Sequence, residues 1–369
     1  MAVVDRAVTI PGVSMPKKKQ IKSARADLRG PHPARPTVKD VARMAKVSVG
    51  TVSRVINNNQ TVGPDIRQRV QDIMARLKFM PDTTAQGMRG KSKRTAGIII
   101  RDITVPALAS FVRAAQNVFL EAGYTLVIGC SDDLVKRELE LLESLQRRVD
   151  GLIMSTATET DPQLVRMHNS LEIPVVLLDR ETTAPLDSVV IAQRDGTYHA
   201  VRHLLDLGHR RIALVTGPTS VLSARERIRG YQEAHSERGV AIDSDLIRSS
   251  SFTASYAYEA VSGLLGGKKR PTAVVAGGIS MLTGILRAVS TEKLRIPEDI
   301  SIVGCGDSDL AELTTPPMTV IRWKYDAIGE AAARMVIDRI ADPTLKPRKL
   351  KFPTELILRS SCAPPPSYV

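Results

Sequence analysis

The sequence predicts a small helical domain followed by a larger α/β core of two lobes, each a doubly wound parallel sheet. Three observations predict this fold class. Residues 37–58 form two short helix-like stretches joined by a tight turn, which is the pattern of a helix-turn-helix. From residue 96 onward, apolar strands alternate with amphipathic helices in two successive series, which indicates parallel sheets covered on both faces. The 369 residues leave room for about two or three domains.

The helical domain is expected over residues 36–81. Thr37 can cap the first helix, with Asp40 placed three residues on for a capping box. Ser48 can cap a second helix over residues 49–57, whose exposed face carries short, polar or basic side chains. A third helix begins at Pro64, since proline favours the first helical position. Together these make a three-helix domain too small to be very stable alone.

The core is expected over residues 96–360. We predict strands at 96–100, 124–130, 149–155, 174–179, 188–192, 211–217, 273–277 and 301–305. Helices are predicted at 106–122, 134–146, 164–170, 196–207, 223–238, 252–265, 280–291 and 325–340. This order gives one α/β series after the other, and hence two lobes with a cleft between them.

Basic residues are concentrated near the N-terminus. Residues 1–95 contain 20 Lys and Arg against 6 Asp and Glu, whereas the rest of the chain contains 32 against 33. The excess of +13 therefore lies in the first quarter of the chain, as expected of a nucleic-acid-binding domain on a neutral body. We expect residues 1–35 to be a disordered basic tail that adds non-specific attraction to phosphates. Met1 and Met15 both fit as the start of translation.

The composition argues against several other classes. No apolar run reaches the roughly 18 residues of a transmembrane helix, and the N-terminus lacks a signal peptide, so we expect a cytoplasmic protein and no membrane partner. Cys130, Cys305 and Cys362 are too widely spaced for a disulfide framework or a zinc site. No catalytic triad, P-loop or dinucleotide fingerprint is present, so we expect no enzyme, cofactor or metal. A solute-binding protein or an α/β enzyme without a DNA role is the alternative. The missing signal peptide and the basic N-terminal domain disfavour the first, and the missing catalytic motifs disfavour the second.

Two runs in the helical domain, VKDVARMAKVS and TVSRVIN, resemble the helix-turn-helix of LacI-family transcriptional regulators. In the core, the motifs VDGLI, LGHRRIA, ARER and IPEDISIVG resemble the effector-binding domain of the same family. That domain shares its fold with periplasmic sugar-binding proteins. The resemblance covers about residues 36–360. It implies a repressor that binds double-stranded DNA at a near-palindromic operator and responds to a small molecule between the lobes.

The resemblance also implies which residues contact DNA. They are Thr37, Lys39, Ser48, Val49, Gly50, Thr51, Ser53, Arg54, Asn57, Met88 and Arg89. Val49, Ser53 and Arg54 are expected to read bases, because Gly50 has no side chain to offer, while hydroxyl and amide side chains hold phosphates. Residues 82–95 take the place of the family's hinge helix and linker. There Met88 corresponds to the apolar wedge that enters the minor groove, and a plain flexible linker is the alternative.

In that family the chain crosses between the lobes three times. We expect crossings near residues 192–193, 321–323 and 345–349. This assigns residues 96–192 and 322–345 to the first lobe, and 193–321 and 346–360 to the second. Residues 361–369 form a short tail without a tetramerisation heptad, so we expect a homodimer.

Ligands of parallel α/β sheets bind beyond the carboxyl ends of the strands. The expected effector-binding residues there are Asp102, Ser131, Arg180, Arg227, Gly278, Asp307 and Trp323. Arg227 matches an arginine that the family uses to hold sugar hydroxyls. Gly277 and Gly278 stand where sugar-binding members have Asn and Asp, and Gly306 replaces a further Asp. Because acidic groups are lost while arginines remain, we expect an anionic effector such as a sugar acid or a phosphorylated metabolite. A neutral ligand, or none, is the alternative.

Overall fold

The computed structural model describes residues 36–56, 59, 61–79 and 92–366. The chain separates into two units, Met1–Arg89 and Gly90–Val369. The predicted architecture, a helical N-terminal domain and a two-lobed α/β core, is confirmed. The predicted tail (1–35), most of the predicted hinge, and three expected DNA-contacting residues lie outside the described residues; the three are Asn57, Met88 and Arg89.

Three helices form the N-terminal domain, namely α1 (Val38–Ala45), α2 (Val49–Ile56) and α3 (Pro64–Arg76). The cap of α1 is a capping box, in which Thr37 N and Oγ1 both donate to the Asp40 carboxylate at 2.9 and 2.7 Å. Lys46 adopts the left-handed conformation, with φ of 53°, and ends α1. The three helices enclose a small core of seven buried side chains, Val41, Ala42, Ala45, Val52, Val55, Val62 and Val70.

The strands of the described core form two sheets of six strands each. The strands are β1 (Thr95–Ile100), β2 (Thr125–Cys130), β3 (Gly151–Met154), β4 (Val175–Leu178), β5 (Asp187–Ile191), β6 (Ile212–Thr216), β7 (Ile247–Ser249), β8 (Ala273–Ala276), β9 (Ser301–Cys305), β10 (Thr319–Arg322), β11 (Lys349–Phe352) and β12 (Glu355–Ile357). The first sheet has the order β11-β5-β4-β3-β1-β2 and is parallel throughout. The second has the order β12-β10-β9-β8-β6-β7, in which only β12 is antiparallel to its neighbour.

Helices cover both faces of each sheet. They are α4 (Pro106–Glu121), α5 (Val135–Leu145), α6 (Pro162–Ser170), α7 (Gln193–Asp206), α8 (Leu222–Glu237), α9 (Ala254–Leu265), α10 (Ile279–Thr291), α11 (Asp309–Leu313) and α12 (Tyr325–Ala341), with a short 3-10 turn at Ser244–Leu246. Helices α4 and α12 pack together on the first sheet, whereas α7 packs with α8, and α9 with α10, on the second. A Cβ at Gly230 of α8 would lie 2.2 Å from the Arg194 carbonyl oxygen, so only glycine permits this close approach of α8 to α7. None of the helices described is both long and apolar enough to cross a membrane.

The chain passes between the lobes three times. It leaves the first sheet after β5 and enters α7, returns between β10 and α12, and passes again between β11 and β12. The third crossing therefore lies after Phe352, and its predicted position at 345–349 is wrong. Strand β11 pairs in parallel with β5, so the first lobe extends to about residue 352 and the second resumes at β12.

The reason for the later crossing is a buried carboxylate at the start of β5. Asp187 is fully buried and accepts hydrogen bonds from Arg339 Nε and Nη2, both at 2.8 Å. It also accepts one from the backbone N–H of Arg348 at 2.7 Å. These bonds hold the segment before β11 on the edge of the first sheet, where its strand hydrogen bonds are satisfied.

Candidate functional site

One face of α2 is turned away from the core of the N-terminal domain. Val52 and Val55 are buried and fix the helix on α1. Val49 is 42% exposed, and Gly50 and Arg54 are also exposed. Gly50 and Arg54 share a face of the helix because they are four residues apart.

The first turn of α2 carries two hydroxyl groups. Ser48 Oγ accepts from Thr51 N at 3.1 Å and lies 2.9 Å from Thr51 Oγ1. The N–H groups of a first helical turn point outward and favour an anion such as a phosphate. Ser53 is half-buried on the same helix. On α1, Lys39 is exposed, whereas the Thr37 hydroxyl is already engaged by Asp40.

The core has a cavity of about 110 Å³ between its two lobes. The first lobe contributes strand-end and α4 side chains, namely Arg101, Val105, Leu108, Ser155, Leu178, Asp179, Arg180 and Ile191. The second lobe and the crossing segments contribute Gln193, Ser223, Arg227, Phe252, Gly278, Ile279, Trp323 and Tyr325. A wider cavity of about 760 Å³ shares Val105, Ile279, Trp323 and Tyr325 with it. We call these the inner and the outer cavity.

Arg227 is the least satisfied polar side chain of the inner cavity. It is 4% exposed, and its Nε and Nη1 have no hydrogen-bond partner among the residues described. Its guanidinium carbon lies 5.7 Å from the centre of the Phe252 ring, which supports one face of the cation. The indole Nε1 of Trp323, 7% exposed, likewise has no partner in the described part of the chain. The cavity thus presents buried donors to whatever acceptors enter it.

Two further guanidinium groups line the inner cavity. Arg180 is 7% exposed and donates from Nε to Thr156 O at 2.7 Å and from Nη1 to Asp179 O at 3.0 Å. Arg101 lies 3.6 Å from Asp133. The carboxylate of Asp179 accepts from Ile191 N at 3.0 Å and Gln193 Nε2 at 2.9 Å, so its oxygens already have protein partners.

Three of the expected effector ligands are placed differently. Asp102 lines neither cavity, because its carboxylate accepts from Thr104 N and Oγ1 at 2.8 and 2.7 Å within its own loop. These hydrogen bonds lower the pKa of Asp102. Ser131 is fully buried, and it too lines neither cavity. Asp307 lines the outer cavity, where both its oxygens are held by Arg359 at 2.9 and 3.0 Å. Asp102 and Ser131 thus lie outside the lining of both cavities, and their contact with a ligand stays a prediction.

Several lining residues were not predicted from the sequence. Gln193 and Tyr325 flank the first two lobe crossings. The predicted crossings could therefore have indicated that these two residues line the cavity. Phe252 follows β7, an edge strand that was not predicted from the sequence. Burial raises the pKa of the Cys305 thiol although Arg227 opposes the shift, so this cysteine stays protonated. Among the described residues, no cluster of His, Cys, Asp and Glu could hold a metal ion.

A carboxylate from the first lobe bridges to the second beside the cavity. Glu159 accepts from Leu222 N at 2.8 Å, at the start of α8, and from Arg225 Nη2 at 2.7 Å. Its own backbone N–H donates to Ser220 O at 3.0 Å. Arg225 also pairs with Glu181 of the first lobe. We call this set of contacts the interlobe latch, and it lies two residues from Arg227 on the same helix.

Comparisons with known proteins match both parts of the chain. A profile described as bacterial regulatory proteins, lacI family, matches residues 37–82, and one described as a periplasmic binding protein-like domain matches residues 201–362. The ribose operon repressor of Escherichia coli strain K12 is 34% identical over 330 residues, which is 88% of this chain and 99% of that protein. The transcriptional repressor PurR of Aliivibrio fischeri strain MJ11 is 30% identical over 329 residues, 88% of this chain and 98% of that protein.

Solved structures match over a similar length. The lac repressor dimer bound to operator and the anti-inducer ONPF has a TM-score of 0.75 at 28% identity, and the match covers 89% of this chain and 99% of that chain. A complex of the transcriptional regulator CelR with cellobiose has a TM-score of 0.68 at 30% identity, covering 89% of this chain and 100% of that one.

Proposed function

Because the chain belongs to the LacI family of bacterial regulatory proteins, and is therefore a DNA-binding transcriptional repressor and not an enzyme, we propose that a small anion bound between its lobes controls its affinity for an operator. The observation that carries this proposal is Arg227, a buried guanidinium in which two nitrogens, Nε and Nη1, have no hydrogen-bond partner among the residues described. Buried donors of this kind cost free energy until an acceptor binds them.

The charge of the inner cavity favours an anion over a neutral sugar. Among the described residues, three arginines line it, namely Arg101, Arg180 and Arg227, and a single carboxylate, that of Asp179, which accepts from Gln193 and a backbone N–H. A sugar hydroxyl both donates and accepts, so it needs acceptors as well as donors. A carboxylate or phosphate only accepts, which suits a guanidinium fork.

A neutral sugar is the second candidate ligand. Two similar proteins are named as a ribose operon repressor and a cellobiose complex, and this chain shares their fold. Phe252 and Trp323 offer flat apolar faces on which a sugar ring could also rest. The two candidates differ in whether affinity depends on the charge of the ligand.

The inner and outer cavities suggest the shape of the ligand. The inner cavity of about 110 Å³ suits a compact anionic head, and the outer cavity of about 760 Å³ continues from it past Trp323. We therefore propose a sugar acid or a phosphorylated metabolite whose head meets Arg227.

For operator binding, we propose that α2 lies in the major groove. Val49, Ser53 and Arg54 would meet base edges, and Ser48 and Thr51 would hold phosphates. One helix of 8 residues buries too little surface for tight specific binding, so two copies are proposed to bind a near-palindromic operator as a homodimer. Because its partner is DNA, we place the protein in the cytoplasm.

Ligand and operator are proposed to be coupled through the lobes. A ligand can shift operator affinity only if it binds two arrangements of the protein with different affinities. The inner cavity is built from both lobes, so a ligand there favours the arrangement in which they are close together. The interlobe latch would favour the same arrangement.

Calorimetry with matched ligand pairs tests the proposal. Sugar acids and phosphorylated sugars are titrated beside the corresponding neutral sugars, into the wild type and into Arg227→Met. The control is Arg229→Met on the same helix, where the side chain is 62% exposed and paired with Glu226. Loss of two charge-assisted hydrogen bonds should weaken binding of the acid by roughly 100-fold or more in Arg227→Met only. Tight binding of a neutral sugar, and of no acid, would overturn the anionic ligand.

A further inference from the structure

A buried acidic side chain lies behind the wall of the inner cavity. Glu138, on α5, is fully buried. Its Oε1 accepts from Thr156 Oγ1 and its Oε2 from Ala157 N, both at 2.6 Å. His168 Nε2, on α6, lies 3.8 Å from Oε1 and is not itself hydrogen-bonded within the described chain. Burying a carboxylate costs free energy, and these short hydrogen bonds offset that cost.

The turn that Glu138 holds is the turn that holds Arg180. Thr156 is 1% exposed, and its carbonyl oxygen accepts from Arg180 Nε at 2.7 Å. The other hydrogen bond of this guanidinium goes to the carbonyl of its own neighbour, Asp179. The bond to Thr156 is therefore the one that ties the guanidinium to another part of the sheet. A continuous chain of contacts runs from α5 through the turn after β3 to the cavity.

Asp133 is a charged neighbour of both Arg101 and Arg180. Burial raises the pKa of the neighbouring Asp133 carboxyl, against the opposing effect of Arg101 and Arg180, and Glu138 adds to the rise. Asp133 lies 3.6 Å from Arg101, and its Oδ1 has no hydrogen-bond partner among the residues described. The carbonyl of Thr156, which accepts from Arg180, and the N–H of Ala157, which donates to Glu138, belong to the same peptide group.

We propose that Glu138 is a positioning residue of the ligand site, which fixes the turn at Thr156 and Ala157 so that the Arg180 guanidinium faces an anionic ligand. This inference rests on the proposed function for the role of Arg180. It makes Glu138 a determinant of ligand affinity, although Glu138 itself does not line the cavity.

The first test needs no ligand. Hydrogen exchange of the Arg180 Nε–H is followed by ¹⁵N NMR, with the signal assigned by its loss in Arg180→Lys. Glu138→Met keeps the length of the side chain but has no oxygen to accept from Thr156 or Ala157. We expect at least tenfold faster exchange in Glu138→Met and no change in Glu140→Met, an exposed position on the same helix. Unchanged exchange in Glu138→Met would overturn the proposal.

The second test is a double-mutant cycle with inorganic phosphate as the probe. Binding is followed by the fluorescence of Trp323, the single tryptophan of the chain, which lines the cavity. Glu138→Met and Arg180→Met should each weaken phosphate binding at least fivefold, and the double variant should be no weaker than Arg180→Met alone. Additive losses would mean that Glu138 acts on the fold and not on Arg180.

The experiments distinguish a failure of the proposed function from a failure of the role proposed for Glu138. If phosphate and the acids do not bind the wild type, the anionic ligand is wrong, while the exchange test still decides whether Glu138 positions Arg180. Should Glu138→Met fail to fold, Thr156→Val removes one of the two hydrogen bonds to Glu138 at nearly constant volume. The same acceleration of Arg180 Nε–H exchange is then expected, and its absence would contradict the proposal.

Discussion

Removing Glu159 should separate the lobes of the core. In Glu159→Ala, the α8 backbone at Leu222 and the Arg225 guanidinium both lose a carboxylate partner from the first lobe. Arg225 keeps its ion pair with Glu181, so the loss is partial. The Glu159 side chain is 5% exposed, which limits screening by water, whereas Arg225 is 26% exposed. Hydrogen bonds to charged groups contribute about 1.5–3 kcal/mol each, and with this discount we expect a net cost of about 2–3 kcal/mol.

That cost converts into about a 30- to 150-fold rise in the ratio of open to closed arrangements. The reporter is the backbone N–H of residue 159, which donates to Ser220 O in the second lobe and is not itself removed by the substitution. Its hydrogen-exchange rate, corrected for the intrinsic rate of alanine, should rise by the same factor. The matched control is Glu181→Gln, whose side chain is 47% exposed and which should change the rate less than about fivefold. A rate in Glu159→Ala within about threefold of the wild type would refute this reasoning.

Two further outcomes are expected. A Cβ at Gly50 would meet only Ser48 Oγ at 3.6 Å, so Gly50→Ala should stabilise the free protein by about 0.5–1 kcal/mol, as measured by thermal unfolding. The same substitution should weaken operator binding, as measured by fluorescence anisotropy. Tighter operator binding would place Gly50 away from DNA. Burial lowers the pKa of His203, His209 and His235 below the 6.5 of an unperturbed histidine. As the pH falls, these side chains therefore gain protons in the unfolded chain before they do so in the folded protein. The free energy of unfolding should thus be unaffected by them above about pH 6.5 and should decrease as the pH is lowered through that value. A melting temperature that is equal at pH 7.5 and 5.5 would contradict this.

The parts of the fold that could be predicted are those with a strong local pattern. Strand β9 is a fully buried apolar run, and helix α12 carries its apolar residues at helical spacing, so both are visible without tertiary information. Strand β11 was missed because its sequence, KLKF, is largely exposed on the sheet edge. Strands β7 and β12 are only 3 residues long and acquire their structure from a neighbouring strand. The misplaced third crossing follows from missing β11.

Some residues of the candidate site could be predicted from the sequence, and others could not. Arg180 and Arg227 could be chosen because a strand end and a helix face put them near the cleft. Asp102 was chosen by the same rule, but its carboxylate is satisfied by Thr104 two residues later, a local competition that strand position does not reveal. Phe252 could not be chosen, since its place in the cavity depends on how the second lobe faces the first.

An anion in the inner cavity is proposed to control operator affinity. The most direct measurement is fluorescence anisotropy of the full chain on a near-palindromic operator selected from random DNA, over a salt series, with and without a panel of sugar acids and their neutral counterparts. We predict operator binding that weakens steeply with salt, is altered by an acid in the wild type, and is unaltered by that acid in Arg227→Met. Operator binding that responds to a neutral sugar but to no acid, or that responds equally in Arg227→Met, would contradict the account.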